Sequence, residues 1–209
     1  MSIYSLIFSF VISFGLLLIA MTVHEFAHGL TAYKLGDPTA RAAGRLTLNP
    51  LAHIDMFWTI LLPFVLFLST AGRFVFGAAK PVPINYWALS NPKRDIIWIG
   101  LAGPFANFIL AFIIAQVLKF VPLGGIFAYL LFNLLTINVV LAVFNLIPIP
   151  PLDGSRVLMG LLPEDLSRQY AALERYGFII LFAFIWLGML DRMLWPLVGF
   201  VIRMIGAGS

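Results

Sequence analysis

Three ionisable residues lie within five positions in the stretch MTVHEFAHGL, residues 21–30, at the end of a long apolar run. His24 and His28 are four positions apart, so on a helix their rings point the same way and can bind one metal ion. Glu25 lies beside them, where its carboxylate can take a proton from a metal-bound water. The alternative is a buried helix with two incidental histidines, but ionisable groups at membrane depth usually persist for function. The stretch therefore predicts a metal centre.

A catalytic zinc ion keeps three protein ligands and leaves a fourth position for water. The chain has three histidines, so the third ligand is either His53 or a carboxylate. We favour Asp153, because it follows the prolines at 148, 150 and 151, which end an apolar helix. Irregular backbone at membrane depth is tolerated only where protein buries it or it lines a watery cavity. An acid there needs a strong partner such as a divalent cation, and a second role as a helix N-cap does not exclude this.

The pair His53 and Asp55, in the sequence NPLAHID, is the other candidate. We favour a loop histidine followed by a helix N-cap, and keep a second interpretation in which the pair supports the metal ligands by hydrogen bonds. The remaining acids lie at the edges of apolar segments, in charged loops or, for Asp95, at the start of a helix. We expect Asp95 to begin its helix and the others to lie on the solvated surface: Asp37, Glu164, Asp165, Glu174 and Asp191.

The composition is that of a membrane protein. Hydrophobic residues make up 62% of the 209-residue chain and charged residues only 11%, against about 25% charged in soluble proteins. Several apolar windows exceed the roughly 18 residues that mark a transmembrane helix. We predict an all-α polytopic membrane protein, a helical bundle. Its strong spans are residues 3–33, 95–119, 126–146 and about 176–190, with a short helix over 155–162 and a last segment, 193–206, that continues past Pro196 or lies at the interface.

We expect a single domain over residues 1–209, with a core of residues 3–162 and C-terminal helices within 170–206. The N-terminus lacks the basic region of a signal peptide, so the first apolar run is expected to be retained as a span. Cysteine is absent, which excludes a disulfide framework and thiolate chemistry. The net charge of +4 comes from Lys and Arg scattered singly through loops, which argues against a nucleic-acid-binding surface.

Two stretches between the first and second strong spans predict a small membrane-associated β segment. Residues 41–49 alternate as a short strand does. Residues 74–87 predict a second extended stretch, whose prolines confine it to an edge position. The apolar residues 56–70 between these two stretches are short for a full span.

Orientation follows from the positive charges. Lys34, Arg41 and Arg45 come directly after the first span, so the positive-inside rule places the N-terminus outside and the histidine motif towards the cytoplasm. A metal ion shared by that motif and Asp153 requires both on the same side of the membrane, which two crossings between them provide. Residues 56–70 must then re-enter the membrane or lie against the bundle.

Three motifs taken together resemble those of the site-2 proteases, the M50 intramembrane metalloproteases. They are His24-Glu25-Phe26-Ala27-His28, Gly103-Pro104-Phe105-Ala106-Asn107 and the run from Asn145 to Leu152-Asp153-Gly154. Their order and broad spacing fit that family over residues 10–160, and three separated motifs are far more specific than one. The chain leaves no room for the PDZ or CBS domain of larger relatives.

The resemblance implies an intramembrane zinc endopeptidase that cuts other proteins within or near their transmembrane segments. It implies one Zn²⁺ held by His24, His28 and Asp153, with Glu25 as the general base. Asn145 would contact the substrate backbone or the developing oxyanion.

Several roles and one alternative function stay open. Asn145 can equally cap its helix, Asn107 can support a ligand or join two helices, and His53 can support a ligand. The expected partners are a transmembrane protein substrate and membrane lipid, with no nucleic acid, and the expected location is the cell membrane. The alternative function is membrane metal binding or metal transport, which needs ligands strung along a path.

Overall fold

The computed structural model describes residues 3–70 and 77–206, and helices form most of this part of the chain. The α-helices are α1 (Ile3–Lys34), α2 (Thr39–Ala42), α3 (Leu62–Ser69), α4 (Pro92–Phe120), α5 (Gly125–Asn145), α6 (Asp153–Leu161), α7 (Glu164–Ala171), α8 (Gly177–Trp186) and α9 (Met189–Met204). Shorter segments complete the regular structure that is described: 3₁₀ turns at Pro50–His53, Tyr86–Ala88 and Ala172–Tyr176, and a π-helical segment at Met56–Leu61.

In the part of the chain that the structure describes, three helices are long and apolar enough to cross a membrane: residues Ile7–Lys34 of α1, all of α4 and all of α5. They contain 28, 29 and 21 residues, so at about 1.5 Å per residue each is at least as long as the hydrocarbon layer is thick. The run Glu164–Trp186 and helix α9 form a fourth candidate, although they meet at an angle of 79°. The prediction of an all-α polytopic protein is confirmed, and the chain is a multi-pass membrane protein.

Helix α4 is the centre of the bundle, because it packs against α1, α5 and α6. Small side chains on α4 allow its neighbours to approach closely, as is usual between helices in a membrane. The largest apolar cluster joins α4, α5 and α9 and contains Ala111, Ile114, Ala115, Leu135, Val139, Leu194 and Val198. The members from α4, Ala111, Ile114 and Ala115, lie in its C-terminal half, so the N-terminal half of that helix is left to meet α1 and α6.

The β segment predicted for residues 41–49 and 74–87 is wrong, since no strand occurs in the residues that the structure describes. Residues 41–49 begin in α2 and continue as turns, and Gly44 has a φ of +66°, outside the β region. Residues 74–76 lie outside the described part of the chain. Residues 77–85 are extended without a strand partner there, because Pro81 and Pro83 have no N–H for a ladder.

These residues 77–85, called the extended segment below, are held by hydrogen bonds to loops on both sides. The Ala78 amide donates to the Trp58 carbonyl at 3.1 Å, and the Asn85 amide donates to Oδ2 of Asp37 at 2.7 Å. Asp37 is fully buried, so the expectation of a solvated carboxylate is wrong there. Burial opposes its charge, but hydrogen bonds from Thr39 and Asn85 outweigh burial and lower its pKa.

The connection between α1 and α4, residues 35–91, begins and ends at the same end of the bundle. The Ser90 amide approaches the Leu35 carbonyl at 3.4 Å, and Asp37 binds Asn85 across the same gap. The apolar helical run Met56–Ser69 within this connection is at most about 21 Å long. This length is too short to cross a layer of about 30 Å, which agrees with the expectation that this run dips in or lies against the bundle.

Candidate metal centre

The two histidines of α1 lie one helical turn apart on the same face. His24 and His28 are only 7% and 6% exposed, and their ring centroids are 4.6 Å apart. The two Nε2 atoms lie 3.0 Å from each other. The helical spacing in the sequence therefore places both rings at one point in space, as predicted.

Asp153 reaches the same point from the first residue of α6. Its Oδ2 atom lies 2.9 Å from Nε2 of His24 and 3.2 Å from Nε2 of His28. Leu152, not Asp153, is the N-cap of α6. The carboxylate is thus directed at the histidines rather than at its own helix. His24, His28 and Asp153 form the only group of potential metal ligands found among the described residues.

The hydrogen bonds on the far side of each ring fix where its proton lies. His28 Nδ1 is 2.7 Å from the Ile99 carbonyl, which only accepts, so this nitrogen carries the hydrogen. His24 Nδ1 is 2.6 Å from Oδ1 of Asn107, whose Nδ2 donates to Asn138 and to the Ala20 carbonyl. The amide oxygen of Asn107 is therefore the acceptor, and both Nε2 atoms direct lone pairs towards Asp153.

These three donor atoms fit a zinc ion. With bonds of about 2.0–2.1 Å, tetrahedral ligands lie about 3.3 Å from one another, and the observed separations are 2.9, 3.0 and 3.2 Å. Three electron-rich atoms this close repel one another unless something positive lies between them. A proton can be shared by two of them, whereas a divalent cation bonds all three.

Gly103 of α4 forms a wall of this centre. A Cβ atom at this position would lie 2.6 Å from Nε2 of His24, and closer still to Nε2 of His28. Packing of α4 against α1 therefore brings the backbone of α4 directly against these nitrogen atoms. No side chain can be added here without displacing the histidines.

Asn107 and Asn138 form a buried chain of hydrogen bonds behind His24. Both side chains are fully buried, and Nδ2 of Asn107 donates to Oδ1 of Asn138 at 2.7 Å. Nδ2 of Asn138 donates in turn to the Leu134 carbonyl of its own helix. The chain links α1, α4 and α5. Sequence reasoning missed Asn138, although an amide in the middle of an apolar span was a signal that could have revealed it.

Glu25 lies next to the histidines but makes a different contact. Its side chain is half-buried, and its Oε2 atom accepts the backbone N–H of Val82 at 2.8 Å. The extended segment therefore lies over this carboxylate. One carboxylate oxygen is left without a protein partner among the described residues.

The other two predicted site residues, Asn145 and His53, make side-chain hydrogen bonds to backbone carbonyls and to none of His24, His28 and Asp153 among the described residues. Asn145 is the last residue of α5 and donates from Nδ2 to the Leu141 carbonyl of the same helix. His53 is buried and its Nε2 donates to the Thr47 carbonyl at 2.9 Å, while Asp55 caps the helical segment that follows. The structural interpretation that we favoured for the His53–Asp55 pair agrees with these contacts.

A metal centre with an acidic neighbour, enclosed by membrane-spanning helices, is the arrangement expected of a hydrolase that works inside the membrane. The profile described as Peptidase family M50 matches residues 10–132 and 121–188. The chain belongs to peptidase family M50, and it is an intramembrane zinc metalloprotease, with Zn²⁺ as its cofactor and membrane proteins as its substrates.

Three relatives carry names that agree with this membership. "Putative zinc metalloprotease YwhC" of Bacillus subtilis is 37% identical over 190 residues, which cover 87% of this chain and 83% of the relative. "Putative zinc metalloprotease Rip2" of Mycolicibacterium smegmatis is 30% identical, covering 92% and 73%. "Zinc metalloprotease MJ0392" of Methanocaldococcus jannaschii is 27% identical, covering 77% and 36%. No solved structure gives a significant match.

Gly103→Ala is expected to prevent zinc binding, because the added methyl group would occupy the space of the histidine Nε2 atoms. Zinc content of the purified protein, measured by mass spectrometry, should fall from about one ion per chain to a small fraction of that. Gly15→Ala is the matched control, since a Cβ at Gly15 meets nothing within 4 Å. Full zinc occupancy in Gly103→Ala would show that α4 does not form this wall.

Asn138→Leu is expected to weaken zinc binding although Asn138 touches no ligand. Loss of its oxygen frees Asn107 to turn, and His24 loses the acceptor that fixes its tautomer. Removing such outer partners typically costs about 10- to 100-fold in metal affinity, which competition with a chelating dye would measure. Asn133→Leu on the same helix is the control, because Asn133 bonds only the Tyr129 carbonyl among the described residues. Equal affinities in both variants would contradict the proposed chain.

Proposed function

We propose that His24, His28 and Asp153 hold the zinc ion and that Glu25 is the general base of this peptidase. The single observation that supports this assignment is the convergence of two Nε2 lone pairs and one carboxylate oxygen within 3.2 Å of one another. We further propose that residues 1–209 act as one domain, with the centre built inside the core of residues 3–162.

The chemistry follows from what surrounds the scissile peptide. Zinc, when bound, supplies a Lewis acid that polarises the carbonyl and acidifies water. Glu25 takes the proton from the attacking water and gives it to the leaving amine. Asn145, close in sequence to Asp153, is proposed to turn from its own helix to the substrate backbone or to the developing oxyanion, where one donor is commonly worth about 10²- to 10³-fold in rate.

The substrate is proposed to be a transmembrane or membrane-proximal segment of another protein. Peptide bonds inside a helix are shielded by their neighbours, so such a segment must unwind locally before Glu25 and water can reach it. The buried ligands favour this function over metal transport, because they meet at one level. No second group of ligands continues a path in the part of the chain that the structure describes.

Orientation is proposed from the distribution of charge around the bundle. Lys34, Arg41 and Arg45 follow α1, and Lys93 and Arg94 open α4, so the metal end of the bundle is rich in positive charge. The positive-inside rule then places this end at the cytoplasm and the N-terminus outside.

Glu25→Gln and Asp153→Asn are expected to fail in different ways. Glu25→Gln should retain zinc and lose cleavage by about 10²- to 10⁴-fold, the range of a general base. Asp153→Asn should lose zinc itself. The measurement is zinc content beside cleavage of synthetic transmembrane peptides of graded helix stability in proteoliposomes, with Asp191→Asn as an exposed control. A Glu25→Gln protein that cleaves at the wild-type rate would overturn the assignment of the base.

Single cysteines introduced into this cysteine-free chain are expected to report its orientation. Lys80 and Leu123 are exposed and lie at opposite ends of the spanning helices. In intact cells a membrane-impermeant maleimide should label Leu123→Cys and not Lys80→Cys, and permeabilised cells should allow both reactions. The reverse pattern would place the metal centre at the outer face.

A further inference from the structure

The contact between Glu25 and Val82 joins α1 to a segment 57 residues further along the chain. The Val82 N–H donates to Oε2 of Glu25 at 2.8 Å. Val82 is only 6% exposed, whereas Pro81 and Pro83 on either side of it are exposed. A buried residue between two exposed prolines thus presents its amide to the carboxylate that we assign as the general base.

The two prolines make this amide the only donor that the backbone offers over residues 81–83. Proline has no N–H and fixes its own φ near −65°, and it also restricts the residue before it to extended conformations. Lys80 and Val82 both precede a proline, so the backbone at both residues is restricted to extended conformations by sequence alone. The Val82 amide is therefore held in one direction before any substrate arrives.

Contacts on both sides of Val82 fix the position of this short stretch. The Lys80 amide donates to the His53 carbonyl at 2.9 Å, and the Lys80 carbonyl accepts Nη2 of Arg45 at 2.5 Å. On the other side, the Asn85 amide donates to buried Asp37 at 2.7 Å. Buried Arg45 and the backbone of buried His53 therefore anchor the stretch that meets Glu25.

The Val82 side chain packs against α1 and so fixes the position of residues 81–83 along that helix. A Cβ added at Gly29 would lie 3.1 Å from Cγ1 of Val82. Gly29 is four residues after Glu25, hence one turn further along the same face of the helix. The isopropyl group therefore packs against α1 one turn away from the carboxylate that its own amide binds, and both contacts hold the stretch in register with the helix.

We propose that the backbone amide of Val82, presented by Pro81-Val82-Pro83, positions the Glu25 carboxylate for catalysis. Binding of Oε2 restricts rotation of the side chain and leaves Oε1 as the oxygen that meets the water proton. Val82 is a positioning residue, because it acts through Glu25 and contacts no reacting atom. The inference rests on the proposed role of Glu25 as the base, and it adds the device that orients that base.

The opposite interpretation is that the amide is a latch, which occupies the base and must be released before the reaction. The two interpretations predict effects of opposite sign when the N–H is removed. Loss of a positioning contact slows the chemical step, whereas loss of a latch accelerates it.

Val82→Pro removes the N–H and keeps an extended backbone between two prolines, and Val82→Ala keeps the N–H and removes the side-chain packing. We expect Val82→Pro to lower kcat by about 10- to 100-fold, because small misplacements of a catalytic group cost up to about 10² in rate. KM and zinc content should stay at wild-type values. Val82→Ala should lower kcat less than Val82→Pro does, because it loses side-chain packing on α1 but keeps the N–H that binds Glu25. Cleavage is measured with the same transmembrane peptides in proteoliposomes.

A third variant distinguishes loss of the N–H from misfolding caused by the proline substitution. Incorporation of the α-hydroxy analogue of valine at position 82 replaces only the N–H by oxygen, and it should reproduce the kcat loss of Val82→Pro. An unchanged or raised kcat in this ester variant overturns the inference. The wild type and Glu25→Gln are assayed alongside. If Glu25→Gln still cleaves, the proposed base fails; if Glu25→Gln is inactive and the ester variant is fully active, only the positioning role fails.

Discussion

Three electron-pair donors brought together between packed helices are the constraint on which this structure depends. Repulsion among two imidazole nitrogens and a carboxylate must be relieved by a cation, and the protein prevents the rings from turning away. Each ring is fixed by a group on α4: His28 by the Ile99 carbonyl and His24 by Asn107. The histidine motif belongs to α1, but its geometry is determined by the neighbouring helix. The centre is thus a property of the assembled bundle.

Much of this arrangement could be predicted from local patterns in the sequence. Apolar length predicted α1, α4 and α5 to within a few residues, whereas the span predicted over about 176–190 is broken between Trp186 and Met189. The four-residue spacing of His24 and His28 put both rings on one face. Asp153 could be singled out because an acid in irregular backbone after an apolar helix needs a strong partner. In each case the pattern and its cause lie within a few turns of the chain.

The features that were missed depend on partners far apart in the sequence. Asp37 was expected on the surface because no residue near it in the sequence indicates a partner. In the structure Asp37 is buried, and it accepts a hydrogen bond from the distant Asn85 amide. Alternation of apolar and polar residues over 41–49 indicated a strand. The structure instead has a turn at Gly44, and these residues have no strand partner in the described part of the chain. Asn138 and Gly103 became meaningful only when α5 and α4 were placed beside α1. Hydrophobic patterns indicate which residues are buried, but they do not indicate which distant residues contact them.

The glycine wall at Gly103 has a consequence for how the protein matures. Backbone of α4 lies against the proposed cation site, for which α1 would supply two ligands and α6, which follows two complete spans, would supply the third. No pair of these elements forms the whole site, so metal capture is linked to completion of the fold. During biosynthesis the nascent chain can acquire its ion firmly only after residue 153 has left the ribosome and docked.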